Sequence, residues 1–275
     1  MLGKLLKHDF KALFKYWWIA AIISLGLGVA AGFSIPIAIS DNNIPPILRA
    51  STIIAIFVAI MGIGVFSAFS VVMIFIRFYK NLFTDEGYLT FTLPVKRASI
   101  LNSKLISAVL FTIATTFIIF AAILTALLIG FSKDIFTVRF LNEIHDTVLE
   151  IYSHTGAYIY IYIIAAVLLY ISSTTISTLF LFNCITFAST ITKKARVITA
   201  IAIYYVANSV FTSIFQILFV FSGNYISDKM DTLSENMYNP IISLILLCVF
   251  VFTVFIIGIL YTIEYYMLDR KLNLL

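Results

Sequence analysis

Six long stretches without one charged side chain constrain this chain more than anything else in it. They cover about 16–39, 50–76, 105–130, 157–187, 197–221 and 241–263, and none contains Asp, Glu, Lys, Arg or His. An α-helix needs about 20 mainly apolar residues to cross a hydrocarbon core about 30 Å thick, and every stretch is longer than that. The alternation of polar and apolar residues that marks membrane β-strands is absent. Composition agrees, with 62% hydrophobic and 11% charged residues, where a soluble domain carries roughly 25% charged. The sequence predicts an all-α integral membrane protein, a single domain over 1–275 with six transmembrane helices.

The basic residues set the expected orientation. Lys4, Lys7, Lys11 and Lys15 precede span 1, and Arg77, Lys80, Lys96, Arg97 and Lys104 lie between spans 2 and 3. Lys193, Lys194 and Arg196 lie between spans 4 and 5, and Arg270 and Lys271 follow span 6. Only Arg49, Lys133, Arg139 and Lys229 fall in the other connections. Both termini are therefore expected in the cytoplasm. The net charge of +5 reads as an orientation signal, with no nucleic-acid partner implied. The basic start and apolar run could suggest a signal peptide with a cleavage site near Ala30-Ala31-Gly32, but the run is too long for one. Cys184 and Cys248 sit near opposite ends of different spans, so no disulfide is expected.

Outside the spans, three segments carry pattern. Residues 1–15 read as an amphipathic helix lying on the inner membrane surface. Leu2, Leu5, Leu6, Phe10, Leu13 and Phe14 recur at intervals of three and four up to Trp17, and the lysines rise on the other side. Residues 131–156 carry a second amphipathic pattern on the outside, with Phe136, Phe140, Ile144, Val148 and Tyr152 spaced by four. His145 and His154 there lack the spacing of a helical metal site. The third segment, the cytosolic loop 77–104, mixes aromatics and leucines with Asp85-Glu86, a breaker at Gly87 and a stop at Pro94. A short helix over about 80–86 would present Leu82, Phe83 and Tyr88 as an apolar knob. Such a knob needs cover from another protein, from headgroups, or from the chain's own helix ends.

The spans hold no ionisable group that could relay a proton or sense voltage. They do hold uncharged polar side chains. Span 4 carries Ser172, Ser173, Thr174, Thr175, Ser177, Thr178 and Asn183. On span 5, Asn208, Thr212 and Gln216 form one stripe with Tyr205 at its inner end. An amide among lipid tails is costly, so these groups should face protein or a wet path. Gly28 with Gly32, and Gly64 with Ala68, read as close-packing pairs on spans 1 and 2. No phosphate-binding loop and no metalloprotease or serine-hydrolase motif is present, so no enzyme activity is expected of this chain. Energy for work across a membrane would come from another subunit.

The stretch F-Y-K-N-L-F-T-D-E-G-Y-L-T-F-T-L-P, Phe78–Pro94, set among an N-terminal surface helix and six spans, resembles a type-2 ABC exporter permease of the small form found in Gram-positive bacteria. The resemblance implies a permease subunit in a bacterial plasma membrane, paired with a second permease above cytosolic ATPase subunits that carry the ATP and Mg. It implies that Asn81, Leu82, Phe83, Asp85, Glu86, Gly87, Tyr88 and Leu89 form the coupling helix, with Asp85 and Glu86 meeting basic ATPase side chains. It also implies that spans 1, 2 and 5 border the path, which would place Tyr205, Asn208, Thr212 and Gln216 along it. Small permeases of this kind export amphipathic peptides or lipophilic toxins and drugs. Two other classes share the composition: an intramembrane enzyme acting on lipid or prenyl substrates, for which only Asp85, Glu86, Glu264 and Asp269 lie near the inner interface, and a membrane scaffold or immunity protein.

Overall fold

The computed structural model describes residues 2–40, 45–84, 87, 96–135, 137–191, 196–230 and 237–270. Among them the chain is helical throughout, with no strand. The helices are α1 (Leu2–Ile39), α2 (Pro46–Phe83), α3 (Arg97–Gly130), α4 (Ser132–Ile135), α5 (Val138–Thr155), α6 (Tyr158–Ile191), α7 (Arg196–Met230) and α8 (Tyr238–Arg270). Six of them, α1, α2, α3, α6, α7 and α8, are long and apolar enough to cross a membrane. The helices outrun the charge-free stretches. At about 1.5 Å per residue, the 38 residues of α1 span about 57 Å, nearly twice a hydrocarbon core. The surplus turns carry most of the ionic chemistry.

The first surplus lies at the N-terminus. The segment expected on the inner membrane surface continues into the span without a break, as α1 runs from Leu2 to Ile39. Asp9, Leu13, Trp17, Ala21, Ser24, Gly28 and Ala31 are all buried, at intervals of three and four. Leu13 and Trp17 of the apolar stripe thus lie on the packing face of the span, while Phe14 is exposed. Lys4, Lys7, Lys11 and Lys15 do remain exposed. Asp9, only 1% exposed, accepts from Arg77 Nη2 near the end of α2 at 3.1 Å.

The chain divides into two compact units. Unit 1 is Met1–Arg77 with Ile106–Ser153, and unit 2 is Phe78–Leu105 with His154–Leu275. In unit 1, Trp17 Nε1 donates to Thr115 Oγ1 at 3.0 Å, and the indole is ringed by Phe14, Phe66 and Phe111. Farther along, Gly28 lies directly against the Ala122 carbonyl, and a Cβ on Gly32 would stand 2.7 Å from Ile129 Cβ. The Gly28/Gly32 pair is therefore a close-packing site, as small residues spaced by four allow. Gly64 and Ala68 are exposed, with nothing within 4 Å of a Cβ on Gly64. On α2 the close approach comes at Gly62, against Leu27.

The amphipathic outer segment forms α4 and α5. Thr137 caps α5 by accepting from Phe140 N at 3.3 Å, and Arg139 pairs with Glu143 one turn on. Gly156, at φ 53°, makes the left-handed turn into α6. The apolar stripe of α5 is left open: Leu141, Ile144, Val148, Ile151 and Tyr152 are all exposed. Phe136 lies outside the described residues. His145 and His154 are exposed, and no group of three metal-ligating side chains forms among the described residues.

Unit 2 is organised by α6 and α8, which run parallel along a seam of side-chain hydrogen bonds. Tyr162 donates to Asn239 Oδ1 at 3.0 Å, Thr253 to Ser172 at 3.2 Å, Asn183 Nδ2 to the Leu260 carbonyl at 3.1 Å, and Thr186 to Glu264 Oε1 at 2.6 Å. The two strands of this ladder stay in step along both helices, as only parallel helices permit. Cys184 is buried, Cys248 is exposed, and both are free.

Candidate functional site

The coupling candidates fall at the end of α2, and the structure turns most of them inward. Asn81, Leu82 and Phe83 complete that helix and are buried, Leu82 at 0% exposure. Phe78 stacks on Phe182 of α6 with ring centroids 3.8 Å apart, and Phe83 packs on Phe78. The knob is thus covered by the chain's own helix ends. This follows from length: α2 continues four residues past Tyr79, which carries Leu82 and Phe83 onto the face already occupied by Phe78. Gly87 is buried too. Its N–H donates to the Thr84 carbonyl at 2.7 Å, and a Cβ there would lie 2.6 Å from the Leu82 carbonyl oxygen, so the breaker is needed for close approach. Asp85, Glu86, Tyr88 and Leu89 lie outside the described residues.

The stripe on α7 has the opposite placement. Tyr205, Asn208, Thr212 and Gln216 are all exposed, Tyr205 at 70%. Its neighbour Ser213 donates back to the Ser209 carbonyl of its own helix. No described part of the chain covers the amides. The polar cluster of span 4 is instead absorbed into packing. Ser172, Thr174 and Thr178 are buried and donate to carbonyls within α6, and Ser172 and Asn183 tie α6 to α8. Between the same two helices lies an apolar groove of about 480 Å³, lined by Ile161, Leu168, Leu244, Leu247 and Phe250 among others.

Two ionic features of unit 2 were not read from sequence. Arg97 opens α3 and closes the C-terminal end of α8, donating to the Leu268 carbonyl at 3.3 Å and pairing with Asp269 at 2.8 Å. A cation at free helix carbonyls is well placed. Glu264 is 0% exposed, although it lies one residue past the charge-free stretch that ends at 263. Its Oε1 accepts from Thr186, while its Oε2 and the Oδ1 of Asn183 have no hydrogen-bond partner. The available signal was the context Y-T-I-E-Y-Y-M-L, in which apolar and aromatic residues continue on both sides of the acid.

These features define a class, a multi-pass helical membrane protein with an anchored helix end and an uncovered polar stripe. No protein-family model, no curated protein and no solved structure matches the chain.

Proposed function

We propose that this chain is the membrane-spanning permease subunit of an ATP-driven exporter, moved by a separate cytosolic ATPase and paired with a second permease subunit. The observation that carries the reading is the anchoring of α2 by Phe78, Leu82 and Phe83, immediately before the segment holding Asp85 and Glu86. In this reading the apolar residues of the segment are the bearing, and the acidic pair is the contact. A push on the connection between α2 and α3 passes through the Phe78–Phe182 stack into α6, and through the hydrogen-bonded seam into α8. The exposed α7 stripe supports a partner subunit, since Asn208 and Gln216 facing lipid would each be costly. The apolar groove between α6 and α8 suits a lipophilic or amphipathic cargo, in keeping with export of a peptide, toxin or drug across a bacterial plasma membrane.

The test is affinity purification of the tagged chain from its native host. An ATPase subunit should copurify, the chain alone should hydrolyse no ATP, and the pair in vesicles should show ATPase activity stimulated by cargo. Charge reversal by Asp85→Lys with Glu86→Lys should weaken the association by about 1–3 kcal/mol, the range for partly solvated interface charges. An intact complex and unchanged transport in that double variant would remove the coupling role from the acidic pair. Absence of any ATPase partner would remove the permease reading.

A further inference from the structure

Glu264 is the residue that the proposed function leaves unused. Of the two carboxylates in unit 2 whose side chains are described, Asp269 is paired with Arg97 and half exposed. Glu264 is 0% exposed, and no cationic side chain bonds it among the described residues. Thr186 supplies its one hydrogen bond, at 2.6 Å to Oε1. An ionised carboxylate in that state loses its hydration against a single neutral donor, a penalty of several kcal/mol.

The surroundings show what would relieve it. Asn183 stands one turn before Thr186 on α6, and Leu260 one turn before Glu264 on α8. Asn183 spends its amide hydrogens on the Leu179 and Leu260 carbonyls, at 2.8 and 3.1 Å, which leaves its Oδ1 bare. Both unsatisfied atoms at this point of the seam are therefore acceptors, and the missing element is a donor hydrogen. The ionisable groups that neighbouring helices bring here do not supply it. From α6 comes the Cys184 thiol, within electrostatic reach of Glu264. On α3, Arg97 is bound to the end of α8, and Lys104 is buried with an interaction of its own. A metal cation fits poorly: hard cations take about six oxygen ligands, and the side chains of Glu264, Thr186 and Asn183 offer four beside a thiol.

We propose that Glu264, held by Thr186 and flanked by Asn183, is a proton-binding site in the α6–α8 seam. The proton resides on Oε2 while the seam is closed. This does not depend on the permease reading, because it concerns only the packing of unit 2.

The experiment is infrared difference spectroscopy of the full chain in phosphatidylcholine vesicles at about pH 7, where a solvated glutamate is ionised. The wild-type spectrum minus that of Glu264→Gln should contain a protonated carboxylic-acid carbonyl band, equivalent to one group, that shifts in deuterium oxide. Glu264→Asp keeps a carboxyl group in the seam and should move that band without abolishing it, which covers the case in which the glutamine variant fails to fold. A carboxylate band in place of the acid band overturns the proposal. So does conversion of the acid band to a carboxylate band when sodium replaces choline at constant pH, which would assign the site to a metal cation.

Discussion

The Phe78 ring lies over Phe182 with centroids 3.8 Å apart and the planes 6° from parallel. Free aromatic pairs favour offset or edge-on contacts with centroids 4.5–7 Å apart. The stack is therefore held by its surroundings, where Leu82, Leu179 and Ile185 are all at or below 1% exposure. Truncating either ring opens a void that these neighbours do not fill. Phe78→Ala or Phe182→Ala should cost about 3–5 kcal/mol, and Phe78→Leu less than about 1.5 kcal/mol because volume is largely kept. Denaturant titration of the purified protein in detergent measures both, and equal costs for the alanine and leucine variants would contradict the account.

Asp9 and Arg77 form the second joint, in unit 1. Asp9 is buried and Arg77 retains 17% side-chain exposure. Removing the carboxylate strands a partly buried cation, whose Nε already lacks a partner. Asp9→Ala should destabilise by about 3 kcal/mol, the lower end for breaking a buried pair. Replacing a surface lysine, such as Lys11→Ala, should change stability by less than about 0.5 kcal/mol. Thermal unfolding of both variants in the same detergent separates an N-terminal segment packed on α2 from one resting on lipid.

Glycine substitutions distinguish the two small-residue pairs. Gly28→Ala drives a methyl group into the Ala122 carbonyl and should destabilise by about 1–3 kcal/mol, as overpacking does. Gly64→Ala meets nothing, and should be neutral or stabilising by up to about 1 kcal/mol from helix propensity. Melting temperatures of the two variants give the comparison directly, and a loss at Gly64 as large as at Gly28 would mean that a partner covers α2 there.

The α7 stripe makes a prediction about assembly. Because Asn208 and Gln216 are exposed and no described part of the chain covers them, Asn208→Leu with Gln216→Leu should leave the stability of the single chain within about 0.5 kcal/mol. If a second subunit covers the stripe, the same double variant should lower the oligomer fraction seen by light scattering or crosslinking. Unfolding of the chain itself would show that α7 packs inward.

Much of the architecture could be read from residue order, because membrane burial is a property of composition. A helix that must satisfy its own backbone in lipid announces itself by about 20 apolar residues, and all six such helices form. The close packing at Gly28 and Gly32 and the amphipathic character of α5 were legible for similar reasons, since both follow from spacing along one helix. What escaped lies past the ends of the charge-free stretches. A polar residue there looks solvated in sequence, whether or not another helix covers it. Asp9 lies in the N-terminal segment read as a surface helix, Leu82 and Phe83 in a knob whose cover was left open between a partner, headgroups and the chain's own helix ends, and Glu264 one position beyond a span.

Sequence alone therefore determined the number and type of the spans, because each depends only on the hydropathy and period of one segment. Tertiary structure alone decided which face of each overlong helix is covered. Asp9 meets Arg77 across 68 positions of chain, and Thr186 meets Glu264 across 78. Those distances are set by how helices lean on one another, and no local pattern encodes them. The shortage of charge first read as an absence of proton chemistry. The fold then enclosed one of the few carboxylates where a proton is the simplest way to keep it.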